Sequence, residues 1–511
     1  MKKKTARDWW TALKSDRKKL EEMWERSAAV TLPYLYTPDN TDADRDGASL
    51  EWQAVGAQLV NHLSTRMMLT LFAPSRPFIR LEASPQILAE ALSTGTKPEE
   101  LQAALAEGER NVVKHMDSLA MRPSLFESTK HLIVLGNLML YEDRERKRMR
   151  PISVKHYCVK RTLAGEVHTV VKRECVKRDE LPEDWYRDLP RQRTLLGQAP
   201  DTMVEHFVLI QRQGRNRWKV TEWVDDDLIP GSERTYTDLT LPYHIITWTL
   251  PDEADYGIGL VGEYIGHFNS LSMLSRAQIE TAVMISEYRW LLSPNAAMRP
   301  ESLKESVNGD VIAGEKDDAV LLSLAADLAP GLQQQMALHA ELVNSLGRAF
   351  LLNSAATRDA ERVTAEEIRL LAQELETGLG GAYSRLASDL QLPVARFLMR
   401  DLRVDIGPNG YKPIIITGLD ALSRGGDLTA LITFIDYVTK LSALPEYIAD
   451  RLEIQTILIA LGTKLGVESP SSYVSSEEAF NQRQNLRAQR EAAASAAAAA
   501  GQAASTGDQS A

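Results

Sequence analysis

Two stretches of the chain combine residue types and spacing in a way that could do chemistry. GIGLVG, Gly257 to Gly262, matches the G-x-G-x-x-G turn that cradles a pyrophosphate. A dinucleotide site needs that turn directly after a strand, with an acidic residue closing the next strand about 20 residues on. Here TLPDEADY separates the preceding strand-like run from the glycines, and the residues that follow read as helix. The glycines therefore read as a loop-to-helix junction. The triplet Asp225 to Asp227 could hold a divalent cation, but three adjacent acids after a strand more often form a solvated tip. No H-E-x-x-H, G-x-x-x-x-G-K-[ST], G-x-S-x-G or paired-cysteine motif is present. The histidines are scattered, His339 on a helical stretch and His156 and His168 on a hairpin, and packed or solvated roles are expected for them. Neither a cofactor nor a metal nor a catalytic set is expected.

Two basic runs stand out, KSDRKK (Lys14 to Lys19) and DRERKRMR (Asp143 to Arg150). Either could meet nucleic acid or an acidic partner. Neither has the interleaved aromatics of a single-strand platform, and a solvated strand or helix end is the simpler reading. The chain as a whole carries a net charge of -11. That argues against a phosphate-gripping surface over its full extent, since such affinity comes from Lys and Arg.

The elements that must position these residues follow from patterning. At 511 residues, 44% apolar and 25% charged, the chain suits two to four packed regions. Trp10, Leu13, Leu20 and Trp24 recur at helical spacing, as do Val55, Leu59, Leu63, Met67 and Leu71 up to Pro74 and Pro77. An Ala-rich helical pattern runs from about Pro98 to Leu119. From Arg150 to Trp248, short β-branched and aromatic runs separated by turns predict an antiparallel β region. One hairpin there sets Cys158 opposite Val171, so Cys158 and Cys175 do not face each other, and a reducing, intracellular origin is expected. The basic N-terminus lacks an apolar signal core, and no run is long enough to span a membrane.

Helix returns from about Gly262 to Leu292, apolar on several sides and so expected to be buried on several sides. A turn-rich insert, 293–328, precedes a second long helix from about Gly331 to Leu352. The charged loop TRDAER comes next. Thr364 is then an N-cap, Glu367 completes its capping box, and Val363 and Ile368 form a hydrophobic staple. Gly378, Gly380 and Gly381 interrupt the helix that follows and predict a kink or a tight crossing. Pro393 marks a further break. Residues from about Ile414 to Gly466 read as helical, and the Ala-rich end reads as a flexible tail.

The segment LLNSAATRDAERVTAEEIRLLAQELETGLGG resembles the most characteristic stretch of portal proteins, the head-to-tail connectors of short-tailed autographivirus-type bacteriophages. LNSA, ERVTAEEIR, ELE and LGG carry the likeness, with LQLP at Leu390 to Pro393. QAVGA at Gln53 to Ala57, the LIV and GN of Leu132 to Asn137, and DYG with EY between Asp255 and Tyr264 extend it. The resemblance implies an α+β, mainly α, portal-type fold with wing, stem, clip and crown. Its boundaries would be a wing at 1–261, β-rich from about 150, a stem helix at 262–292, a clip at 293–328 and a second stem helix at 329–352. A channel loop would follow at 353–363, a kinked wing helix at 364–400, a helical crown at 401–466 and the tail at 467–511.

The resemblance also implies a ring, usually of twelve copies, at one capsid vertex. Double-stranded DNA would pass through it during packaging and ejection. Capsid and scaffolding proteins, the terminase motor and tail adaptor or tail tube proteins would be its partners. The protein would sit in the virion, after assembly in the host cytoplasm, without a membrane. Arg358 and Arg362 would reach DNA phosphates, tempered by Asp359 and Glu361. Two other readings stay open. One is a metal-dependent nucleic-acid-processing enzyme using Asp225 to Asp227, and the other is a capsid adaptor without a channel.

Overall fold

The computed structural model describes residues 4–37, 51–73, 77–93, 98–182, 202–286, 288–294, 299–311, 318–323, 325–352, 381–404 and 410–415, with positions 185, 315, 374–375, 377–379 and 436 between or beyond them. The chain divides into two compact units, 1–418 and 419–511. Of the second, only position 436 is described.

In chain order the helices and strands are α1 (Ala6–Asp16), α2 (Lys18–Ala29), α3 (Val55–Leu71), β1 (Ile79–Ala83), α4 (Pro85–Ser93), α5 (Pro98–Ser118), α6 (Arg122–Leu135), β2 (Asn137–Asp143), β3 (Arg148–Ile152), β4 (Tyr157–Arg161), β5 (Val167–Lys177), β6 (Met203–Arg212), β7 (Trp218–Val224), β8 (Asp227–Leu228), β9 (Arg234–Tyr236), β10 (Tyr243–Thr247), a one-turn α7 (Leu260–Glu263), α8 (Ile265–Ser286), β11 (Tyr288–Leu292), α9 (Pro300–Glu305), β12 (Ala319–Ser323), α10 (Ala325–Ala349), α11 (Gly381–Asp401) and β13 (Tyr411–Ile415). The fold is α+β. An antiparallel sheet runs β4-β5-β6-β7-β8 with β9 on β7, and a smaller one runs β10-β2-β3. In the larger sheet Cys158 pairs with Val171, the register expected from the sequence. Both cysteines are free, Cys158 buried and Cys175 exposed.

The main core gathers α2, α3, α6, β2 and α11 around Trp24, Leu63, Met67, Leu132, Leu138, Leu390 and Leu398. A capping box between Thr5 and Asp8 starts α1, which lays Ala6, Trp10 and Leu13 on Cys158, Val171, Phe207 and Leu209 of the larger sheet. The apolar side chains of α1 therefore cover the face that strand alternation leaves open.

Buried polar groups tie these layers. Arg17 is in the middle of the basic run KSDRKK, yet it is buried rather than solvated. It donates to the carbonyls of Val154 and Tyr157, pairs with Glu21, and lies over the rings of Trp10, Trp24 and Tyr256. A guanidinium can be buried in this way because its donors are satisfied and its faces meet aromatic rings. Glu142 is likewise buried. It accepts from Arg400 at 2.7 Å and Arg144 at 2.9 Å, and it lies 3.0 Å from His244 Nε2, so one carboxylate joins β2, β10 and α11. Gln391 donates to Leu71 O and Arg385 to Trp248 O, tying α11 to α3 and to the end of β10.

Four expectations are corrected. The helix read as running to Leu292 ends at Ser286, and 288–292 is a strand paired with β12, Tyr288 opposite Ser323. Ile414 and Ile415, read as the start of a helical region, lie in β13, which pairs with β1, Ile79 opposite Ile415. Pro393 does not break its helix: α11 continues through it to Asp401. The second long helix also begins at Ala325, earlier than read, with Pro330 inside it. The tail at 467–511 lies outside the described residues.

Burial alone would push the Glu142 carboxyl up, but the His244 contact and the Arg400 and Arg144 cations outweigh it and hold it below the usual carboxylate range. Its stabilisation is therefore complete above about pH 4.3, the unfolded value, and is lost as pH falls toward the folded one. Glu142→Gln is expected to destabilise by about 1–3 kcal/mol at neutral pH, because it removes the buried acceptor that the partly exposed Arg144 and Arg400 share. It should also flatten the loss of thermal midpoint below pH 4.3; thermal melts across acid pH check both effects.

Candidate functional site

The long helices α8 and α10 form a hairpin. At its base Phe350 meets Phe268 at 5.7 Å and Tyr264 at 6.2 Å between ring centroids, edge to face. At its tip the strands β11 and β12 pair antiparallel. The end of one helix thus lies beside the start of the other. Phe268, Leu271, Leu346 and Phe350 anchor the base in the core. Beyond Ser275 the two helices pack chiefly on each other. At 22 residues α8 is about 33 Å long.

Its sequence carries only Arg276 and Glu280 as charged side chains, and these pair with each other at 2.8 Å. Apolar side chains stay open to solvent instead: Met273 is 73% exposed, Ile279 46%, Val283 52% and Met284 51%. On α10, Met336 and Leu338 are also exposed, as are Val307 and Val311 between the strands of the tip. Large apolar side chains left open on more than one side of a helix point to protein association.

The charged loop begins where this hairpin ends. Arg358, Asp359, Glu361, Arg362, Thr364, Glu367 and Gly380 lie outside the described residues. The described residues on either side of 353–373 converge. Leu351, after α10, adopts a left-handed backbone (φ 58°) and is buried. A Cβ on Gly378 would come within 2.9 Å of Leu351 Cδ2, so glycine permits this approach. Nearby, buried Arg66 of α3 pairs with Glu374 at 2.9 Å. Positions 374–375 and 377–379 are helical, and α11 starts at Gly381. Sequence reading missed Arg66 and Glu374, although Arg66 interrupts the stripe of Leu59, Leu63 and Met67, which is a usable signal.

The other candidates have structural roles. Asp225 and Asp226 surround Arg7 with Glu205, at 2.9, 2.9 and 2.6 Å respectively. This guanidinium, and not a metal ion, meets the acids and fastens α1 to the sheet, and Asp227 enters β8. Among the described residues no group of three or more His, Cys, Asp or Glu is placed to hold a metal ion. In GIGLVG, Gly257 and Gly259 press against the turn at Gly136 (φ 71°). Asn137 accepts from Gly257 N and donates to Gly257 O, both at 2.8 Å. Added side chains would strike backbone, so these glycines serve close packing at the head of α7. Among the described residues no helix is long and apolar enough to cross a membrane.

These features define a class: an α+β protein in which an ion-paired body carries a pair of long helices with open apolar flanks and a strand-paired tip. The sequence model of the family described as bacteriophage head to tail connecting protein matches residues 3–471, and the chain belongs to that family. Its relatives include the portal protein of Escherichia phage T7, 31% identical over 485 residues that cover 93% of this chain and 89% of the relative. The portal protein of Enterobacteria phage T3 is 30% identical, with coverages of 93% and 89%. That of Pseudomonas phage phiKMV is 30% identical, with 95% of each chain covered.

The Arg7 site yields a test of the cation reading. Arg7→Ala should weaken the fold by about 1 kcal/mol, since the pairs are partly exposed, and less so at high salt. Millimolar Mg²⁺ or Mn²⁺ should leave the thermal midpoint of the unsubstituted protein unmoved. A metal-induced rise would restore the cation reading.

Proposed function

We propose that the chain is the subunit of a portal ring of twelve copies at one capsid vertex, a structural protein without catalytic activity. The ring joins head to tail and forms the channel for double-stranded DNA in packaging and ejection. The observation that carries this reading is the α8–α10 hairpin, whose apolar flanks one chain leaves uncovered in a family named for head-to-tail connection. A head-to-tail contact that repeats with closure makes a ring, and neighbouring hairpins cover each other's Ile279, Val283 and Met336. In this assignment the hairpin is the stem and the β11–β12 tip belongs to the clip, which then begins near 288. Residues 353–363 form the channel loop, with Arg358 and Arg362 near the DNA and Asp359 and Glu361 limiting their grip.

Capsid and scaffolding proteins contact the body, tail adaptor or tube proteins contact the tip, and the terminase motor supplies the ATP hydrolysis. The ring belongs to the virion and assembles in the host cytoplasm. DNA must slide, so a channel with few phosphate contacts suits the acidic chain. The metal-enzyme reading loses its best residues to Arg7.

Negative-stain images and native mass measurement of the purified protein test this directly. Closed rings with an axial hole are expected, and single copies alone would overturn the reading. Ile279→Asp with Val283→Asp should leave the subunit's melting nearly unchanged, since both side chains are exposed, and should abolish rings. Arg358→Ala with Arg362→Ala should leave rings intact and alter DNA packaging or retention in complementation assays.

A further inference from the structure

DRERKRMR has no part in the stem or the channel loop, and its surroundings are unusual for a chain of net charge -11. It forms the β2–β3 hairpin tip, beside the end of α11: Lys147 Nζ lies 3.0 Å from Asp401 Oδ1. His115, near the end of α5, meets the same carboxylate at 2.7 Å. Arg144 and Arg400 converge on Glu142 and donate to the neighbouring carbonyls of Thr240 and Leu239.

The charges are layered. The carboxylates lie low, with Glu142, Asp143 and Asp401 side chains 1%, 16% and 17% exposed. The cations paired with them stand above, Arg144 38%, Lys147 56% and Arg148 49% exposed. Arg146 and Arg403 are exposed too, and among the described residues neither side chain has an ion-pair partner. Glu145 is the exposed carboxylate of the tip. An approaching molecule therefore meets cations first.

We propose that this face binds the phosphate backbone of double-stranded nucleic acid, at a surface built from elements other than the long helix pair and the 353–363 loop. It goes beyond the channel reading and does not depend on it. Arginine dominates the patch, and its planar fork matches phosphate oxygens. Among the described residues, exposed apolar surface on this face is limited to the partly open Leu239 and Leu402, at 37% and 36%, a small anchor for a peptide beside so many cations, which disfavours an acidic protein segment. It also shows no exposed aromatic on which unpaired bases would stack, which favours a duplex over a single strand. Phosphate contacts alone give affinity without sequence preference.

Lys147 and Arg403 have left-handed backbones, φ 51° and 59°, a conformation that asparagine tolerates well. The combined variant Arg146→Ser, Lys147→Asn, Arg403→Asn thus removes charge without backbone strain, at the loss of the partly exposed Lys147–Asp401 pair. Binding of a short labelled DNA duplex to the full-length protein, followed by fluorescence anisotropy across a salt series, is the test. The unsubstituted protein should bind with a strong salt dependence. The variant should lose about tenfold or more in affinity at low salt, and its slope of log affinity against log salt should shrink by about 2–3, at about 0.9 per lost phosphate contact. Equal affinity and slope would overturn the proposal. So would displacement of the duplex by polyglutamate at matched charge, which would assign the face to an acidic protein. Should the triple variant melt early, Arg146→Ser alone must lower the slope by about 1, and an unchanged slope again counts against the site. Rings seen in the same samples are scored separately, so a failure of this binding leaves the portal reading standing, and the reverse.

Discussion

A helix hairpin can bury only the faces its two helices turn toward each other, and everything about α8 and α10 follows from that constraint. One pair of helices has no second layer to cover its outer stripes. An isolated soluble protein would make those stripes polar. Here they carry Met273, Ile279, Val283 and Met336, with Arg276 and Glu280 paired to each other. The free energy forgone in one copy is recovered only when neighbours supply the missing layer. The rigid base makes that recovery possible: Tyr264, Phe268 and Phe350 lock the helix ends into the core, so the hairpin is presented at a set angle.

The body supplies this rigidity through buried charge as much as through apolar packing. Arg17 and Glu142 each sit at a junction of three elements, and each has its hydrogen-bonding capacity largely met. Such groups add little net stability over apolar replacements, but they penalise any arrangement that leaves them unpaired. On the flanks of the 353–373 segment the Arg66–Glu374 pair acts in the same way, and close packing of Leu351 on Gly378 adds to it. Whatever that segment does, its ends are held together.

Local signals in the sequence were enough for the N-terminal helices and for one register. The repeat of Val55, Leu59, Leu63, Met67 and Leu71 became α3 with all but Val55 buried, and the Ala164–Gly165 turn set Cys158 opposite Val171. The family resemblance carried by 350–381 likewise agreed with the comparisons. What escaped reading was non-local. Tyr288–Leu292 continues a helical pattern and becomes strand only because Ala319–Ser323 offers a ladder some thirty residues away. Tyr411–Ile415 depends on Ile79–Ala83, more distant still. Arg17 looked like one cation in a basic run, and its aromatic enclosure is assembled from α1, α2 and the Asp255–Gly257 turn. The loop arginines were legible as charges, but their placement lies outside the described residues.

The two free cysteines differ in a way that suits spectroscopy. Burial pushes the Cys158 thiol up to about 11, only partly offset by Arg17, and seals it under α1, whereas Cys175 is open at the far part of β5 beside Arg173. A thiol-directed dye or spin label would therefore mark a single position per chain without any engineering, and distances between labels would test the proposed ring directly.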